Sequence, residues 1–366
     1  MTANDGSIVR RVPTDLYVDG TWRPAVDAAR FDVRDPASTD VIATVAAGTV
    51  DDGLAAVDAA DRALPAWSAT APRARAEILR RAFELMTERS AEIAELIVRE
   101  NGKAFADAAG ETAYAAEFFR WYAEEAVRSL GSIGTAPAGD KKILVLHRPV
   151  GIAVLVTPWN FPAAMATRKI APALAAGCTV ILKPAPETPL TALLVAQILE
   201  HAGVPPGVVN VVTTDRAGEV IGAMLHDPRV RKVSFTGSTE VGKILLHHAA
   251  DNVVNTSMEL GGNAPFIVFD DADLDAAVDG AMVAKMRNGG EACTAANRFY
   301  VQRGIAADFA RRLTERMAAL HVADGMEPGA DVGPLVSEQA VCDVQTLVDD
   351  AVAAGAIATT GGAPLE

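Results

Sequence analysis

A chain of 366 residues, half of them hydrophobic, few aromatic, with Gly and Pro spread throughout, suits a soluble α/β protein of one large core or two ordinary domains. Its net charge of −14 works against nucleic-acid or anionic-membrane partners, and no apolar run reaches membrane-spanning length. Cys178, Cys293 and Cys342 are odd in number and far apart, which excludes a disulfide framework and a CxxC metal site. The opening Met1-Thr-Ala-Asn-Asp-Gly-Ser7 has neither a basic nor an apolar leader character, so the expectation is a cytoplasmic protein with no metal.

In chain order, Leu16-Tyr-Val-Asp-Gly-Thr-Trp22 reads as a hairpin turning at Asp19-Gly20, and 31–49 holds two more brief strands. Helices follow over 51–66, 72–101 and 107–130, with Ala and Leu at three- and four-residue spacing. Arg73, Arg75, Arg80, Arg81, Glu84 and Glu88 read as solvated surface; Trp121 and Tyr122 read as packing residues. Residues 131–139 are rich in turn formers and read as loop, and 141–147 alternate like a half-exposed edge strand.

After Pro149 strands and helices alternate: strands at 152–157, 179–183, 208–213 and 231–236, helices at 161–176, 188–202, 218–225 and 238–250. This alternation predicts a parallel sheet covered on both faces, with ligands at the carboxyl ends of its strands. Those ends carry Thr157-Pro-Trp-Asn160, Lys183-Pro-Ala-Pro186 and Gly237-Ser238. Two further strands at 252–259 and 265–269 flank Leu260-Gly-Gly-Asn263. A helix over 273–286, a strand from 298 to 301, helices over 306–320 and 341–354, and a strand-like 356–360 complete the chain.

Several residues invite a chemical reading beside a plainer one. Cys293 follows the helix-breaking Asn288-Gly289-Gly290; opening a short helix, its thiol would sit in the positive field that favours a thiolate. The plainer reading is a small core residue. Gly237-Ser-Thr-Glu-Val-Gly242-Lys243-Ile244 lacks the Ser or Thr that a P-loop places after its lysine, and GxGxxG is absent. What remains is a helix start that suits a phosphate or simply carries a hydroxyl cap. Lys183 can meet ribose hydroxyls or a phosphate, or snorkel to the surface. Glu259, set among apolar residues, can serve as a general base with a raised pKa, or be a strand-end carboxylate. Asn160 can donate to an oxyanion or shape a turn.

Together these pieces resemble the aldehyde dehydrogenase superfamily. The resemblance rests on Thr157-Pro-Trp-Asn-Phe-Pro162, Lys183-Pro-Ala, Phe235-Thr-Gly-Ser-Thr-Glu-Val-Gly242, Met258-Glu-Leu-Gly-Gly-Asn263 and Gly290-Glu-Ala-Cys293 with Arg298, in the family's order from about residue 16 onward. It implies a Rossmann-type parallel-sheet cofactor domain over 1–130 and 150–259. It further implies a β-hairpin oligomerisation arm over 131–149 and a second α/β catalytic domain, incomplete, over 260–366. It also implies Cys293 as nucleophile, Glu259 as the base that activates water, and Asn160 with the Cys293 N–H as oxyanion donors. NAD or NADP would be lined by Thr157, Pro158, Trp159, Asn160, Lys183, Ala185 and Pro186. Gly218, Phe235, Gly237, Ser238, Val241 and Leu260 would complete that site.

Within the family the chain is most similar to succinate-semialdehyde dehydrogenases, because Arg168 and Arg287 match positions that clamp the far carboxylate of succinic semialdehyde. A guanidinium pair suits a carboxylate better than lysine does. Glutarate semialdehyde is one methylene longer, a difference of about 1–3 kcal/mol in a flexible pocket. Pro186 stands where NAD-preferring relatives carry a ribose-binding Glu, with Glu187 one place later, so NADP⁺ is expected to be accepted. Ala295 replaces a second cysteine, so no local disulfide is expected. Relatives continue past residue 366; were this the whole product, the expectation is a damaged or non-catalytic chain with an exposed sheet edge. The alternative is a non-catalytic chain that retains nucleotide or subunit binding; a complete chain is expected to form a homo-oligomer (dimer or tetramer).

Overall fold

The computed structural model describes residues 8–365; the opening stretch read as lacking a leader lies outside them. After a 3-10 turn at Ile8–Arg11, β1 (Leu16–Val18) and β2 (Thr21–Arg23) form the expected hairpin, with Asp19 and Gly20 both at positive φ. Strands β3 (Arg30–Arg34) and β4 (Val41–Ala46) pair antiparallel. Four helices follow: α1 (Val50–Ala69), α2 (Pro72–Glu88), α3 (Ser90–Asn101) and α4 (Phe105–Ala126). The single helix expected over 72–101 is broken at Arg89, which leaves helical φ/ψ and ties its guanidinium to Glu92 and to Gln197. Apolar spacing continues through the break, so periodicity could not show it.

Next come β5 (Ser132–Thr135) and β6 (Lys142–Val145), an antiparallel hairpin exposed along its whole length. The stretch read as loop therefore contains a strand, whose ladder depends on a partner ten residues away. The central units are β7 (Ile152–Val156), α5 (Pro162–Ala176), β8 (Thr179–Lys183), α6 (Pro189–His201), β9 (Val209–Val211), α7 (Ala217–His226), β10 (Val230–Gly237), α8 (Thr239–Asp251) and β11 (Asn255–Leu260). They build a seven-stranded sheet of order β11-β10-β7-β8-β9-β1-β2, parallel from β11 to β9.

Successive residues of a strand face opposite sides, and the two cores obey this. Ala153, Leu155, Val180 and Leu182 join the core beneath α2 to α6, whereas Ile152, Val154, Val156 and Ile181 join the core beneath α1, α7 and α8. Two buried carboxylates start two of the covering helices: Glu100 accepts from the N–H groups of Leu190 and Thr191, and Glu111 from those of Ala163 and Ala164. Arg75, read as surface, is buried, with its guanidinium on the Ala175 carbonyl, and Trp121, read as packing, is largely exposed.

The remaining unit has a two-stranded parallel sheet, β12 (Ala264–Val268) with β13 (Ala296–Val301), and the helices α9 (Leu274–Met286), α10 (Ala306–Ala318) and α11 (Glu338–Ala353). Residues 356–360 form no strand; they are exposed and have no ladder partner among the described residues. This unit crosses the turn after α3 at very short range. A Cβ on Gly333 would lie 1.9 Å from the Gly102 carbonyl oxygen, and one on Gly325 would lie 2.2 Å from that of Lys103. The Phe105 N–H donates to the Gly325 carbonyl at 2.9 Å.

Candidate active site

From β7 the chain runs outward through β8 and β9, then crosses back to β10 and β11 on the other side. The crevice where that order reverses, at the carboxyl ends of β7 and β10, is where open parallel sheets bind ligands. Thr157 to Asn160 leave β7 there, and the Thr157 N–H donates to the Lys183 carbonyl at 3.2 Å, locking the ends of β7 and β8 together. On the other side Gly237 ends β10, and Ser238 caps α8 by accepting from the Val241 N–H at 3.3 Å. Phe235 lies beneath this turn, so a Cβ on Gly237 would sit 2.5 Å from its ring, and the Leu260 side chain leans over Gly242. Ala185 is buried behind Lys183, Pro186 is half-buried, and Gly218 is exposed in the first turn of α7.

These residues fit a dinucleotide. Lys183 is buried and its pKa is pulled down by that burial, with Glu187 opposing. The Thr236 hydroxyl at the end of β10 is buried and unpartnered. A buried donor without an acceptor costs free energy, and ribose or phosphate oxygens supply the missing acceptor.

The second half of the site is the Cys293 turn. α9 gives way to a 3-10 turn, Arg287–Gly290, in which Asn288 and Gly289 adopt left-handed conformations at φ 60° and 61°. Cys293 then lies in a turn closed by the Ala295 N–H on the Ala292 carbonyl, not at the start of a helix. The helix field expected to favour its thiolate is therefore absent, because the chain enters β13 within three residues. The thiol is exposed, and the cysteines among the described residues are free.

Asn160 meets this turn directly: its side-chain amide donates to the Glu291 carbonyl at 2.7 Å. An amide nitrogen carries two hydrogens, so one donor remains for an oxyanion. Glu291 is partly buried, and that burial pushes its carboxyl up to about 7 against the opposing charge of Lys103.

Glu259 was expected among apolar neighbours; it is exposed instead. It lines a cleft of about 370 Å³ shared with Arg148, Arg168, Lys169 and Lys232. The apolar residues beside it in sequence point elsewhere, since neighbours on a strand face opposite sides. Burial pushes Lys169 down to about 8, with Glu259 opposing, and its ammonium donates to the Ser234 hydroxyl at 2.9 Å. No hydrogen bond among the described residues joins Glu259 to the Cys293 turn. Arg168 donates to the Tyr114 hydroxyl at 2.5 Å and lies over the Phe118 ring, while Arg287 lies over the Phe161 ring. Phe161 is the N-cap of α5, so Arg287 lies at the start of that helix and Arg168 on its second turn.

Sequence reasoning missed Lys103, Glu111 and Asn288. Lys103 is buried and donates to Glu111 at 2.6 Å, to the Asn160 carbonyl at 2.8 Å and to Asn288 Oδ1 at 2.5 Å. One signal was available: Glu111 falls on the helix face of Ala108 and Ala115, and a carboxylate on a buried face demands a partner.

Residues 22–366 match the profile of the aldehyde dehydrogenase family. The chain is 57% identical to a succinate-semialdehyde dehydrogenase of Paenarthrobacter nicotinovorans, over 89% of this chain and 72% of that protein. It is 47% identical to a glutarate-semialdehyde dehydrogenase of Pseudomonas aeruginosa, over 100% of this chain and 74% of that one. Among solved structures, an Escherichia coli NADP-dependent enzyme superposes with a TM-score of 0.95 at 47% identity, covering 98% of this chain and 74% of its own. A betaine aldehyde dehydrogenase of Staphylococcus aureus in complex with NAD⁺ superposes with a TM-score of 0.95 at 32% identity, covering 98% and 71%.

Proposed function

The chain belongs to the aldehyde dehydrogenase family, and from that premise we propose that it oxidises succinic semialdehyde to succinate with NADP⁺ or NAD⁺. The observation that carries the reading is the hydrogen bond from the Asn160 amide to the Glu291 carbonyl, which sets an oxyanion donor two residues from an exposed thiol. The Cys293 sulfur, as thiolate, attacks the aldehyde carbon, and the developing oxyanion accepts from the second Asn160 N–H and from the Cys293 backbone N–H. When bound at the β7–β10 crevice, the nicotinamide supplies the hydride acceptor that the oxidation needs. Lys183 and the Ser238 turn would hold the dinucleotide there. Glu259 takes a proton from water, the water oxygen bonds to the thioester carbon, and the carbon–sulfur bond breaks to release the acid and the thiolate. Arg168 and Arg287 pair with the substrate's far carboxylate.

Formation of reduced nicotinamide with succinic semialdehyde tests the reading, and Cys293→Ala is expected to lower it by about 10⁴-fold or more. Equal turnover by the alanine variant would refute the assignment. Glutarate semialdehyde is a second reading, supported by the relatives of that name. One extra methylene is worth only about 1–3 kcal/mol, so the ratio of kcat/KM for the two aldehydes decides between them. The exposed apolar hairpin β5–β6, with Ile133 and Leu144 outermost, is read as the arm that pairs copies of the chain. Ile133→Lys should then lower the oligomer mass in solution.

A further inference from the structure

We propose that Lys103 is a positioning residue for this chemistry, clamping the Asn160 loop and the Cys293 turn in one mutual geometry; the proposal rests on the Cys293 mechanism above. An ammonium has three N–H donors, and here each has one acceptor: Glu111 Oε2, the Asn160 carbonyl and Asn288 Oδ1. Each acceptor belongs to a different part of the site. The other oxygen of Glu111 takes the N–H groups of Ala163 and Ala164, which begin α5 directly after the Asn160 loop. The Asn288 amide returns to the Asn160 carbonyl at 3.0 Å and reaches the Glu291 carbonyl at 3.3 Å. Asn101, two residues before Lys103, holds the Trp159 carbonyl at 3.2 Å. The Glu291 carbonyl thus receives two side-chain amides, and Lys103 bonds both residues that supply them.

Stability alone is a poor reason for such a cluster. A buried ion pair is often no better for folding than an apolar pair of the same volume, because desolvation offsets the attraction. Placement is a better one. Lys103 and Asn288 lie 185 residues apart, and the two loops they join bear the oxyanion donor and the nucleophile. An error of about 1 Å between reacting groups costs roughly 10²-fold in rate. Asn288 also holds a left-handed backbone that Asn tolerates and most residues do not, so its amide is presented from a fixed turn.

Two perturbations test this, read in the full chain. Lys103→Met with Glu111→Gln removes the clamp without leaving a buried charge unpaired, and Asn288→Gly keeps the left-handed turn while removing the amide. Each is expected to lower kcat by roughly 10- to 100-fold with the aldehyde KM within about threefold, and the combination to lose no more than the worse of the two. A raised KM at unchanged kcat, or fully multiplicative losses, would overturn the proposal. Alkylation of Cys293 by iodoacetamide, followed by peptide mass to separate it from the exposed Cys342, needs no aldehyde turnover. Its rate should change by about threefold or more in both variants, and a smaller change overturns the proposal. Should the parent chain oxidise no aldehyde, the proposed function fails, while the alkylation rates still decide the role of Lys103. If the double variant does not fold, Asn288→Gly decides alone.

Discussion

Every residue of β7 and β8 is buried, and their side chains feed two large cores on opposite faces of the sheet. In the unit that carries Cys293, the core consists of Val268, Val278, Ala281 and Phe309, and α11 buries none of its side chains. The crevice at the ends of β7 and β10 is therefore shaped by a sheet that specifies itself. The Cys293 turn has no comparable core beneath it. It takes its position from Lys103, Glu111 and the turn at Gly102, all of which belong to the sheet region. The placement of the Cys293 turn against the Asn160 loop is a property of the join between the two regions.

Deleting side-chain volume on each side should give the widest separation. Ile181→Ala, at a fully buried position of the central sheet, is expected to cost about 2–5 kcal/mol, whereas Leu347→Ala on α11 should stay within about 0.5 kcal/mol; denaturant titration reads both. Gly333→Ala attacks the join itself. Its new methyl meets the Gly102 carbonyl, and a cost of about 1–3 kcal/mol should appear as faster proteolysis within 260–365 while the sheet region stays protected. Uniform protection of both regions would contradict the comparison.

Arg168→Ala tests whether the substrate end of the site depends on one charge. The KM for succinic semialdehyde should rise by roughly 30-fold, in keeping with a lost charge-assisted pair, and that for an uncharged aldehyde should hold. The smallest effect is on pH dependence. Glu291 binds a proton more tightly in the folded chain, up to about 7, than its ordinary 4.5. Between those values the folded state holds a proton that the unfolded state has released, so stability falls as pH rises through that window. Glu291→Gln should flatten that slope, and an unchanged slope would show that the carboxyl titrates as in water.

Much of the sheet was readable because β7, β8 and β9 are short apolar runs between helices, a pattern that burial on both faces imposes. The crevice residues followed from where those runs end. What could not be read depends on partners distant in the chain. Ser132–Thr135 is a strand only because Lys142–Val145 lies beside it. The exposure of Glu259 depends on which face of β11 meets α8 and which stays open. The site's internal scaffold joins Lys103 to Asn160 and Asn288, and neither the glycine after Asn101 nor the alanines around Glu111 encode that meeting. Cys293 is exposed, as Cys342 is, and the helix invoked to activate Cys293 does not form.

At the crossing of Gly102 with Gly325 and Gly333, two backbones approach closer than any side chain would permit. Short-range repulsion and dispersion do not respond to dissolved ions, which screen only charges. Raising ionic strength should therefore loosen the peripheral Arg–Asp and Arg–Glu pairs of the helices while the alignment of the reactive sulfur with the sheet persists. A single added carbon at the crossing should disturb that alignment more than added salt does.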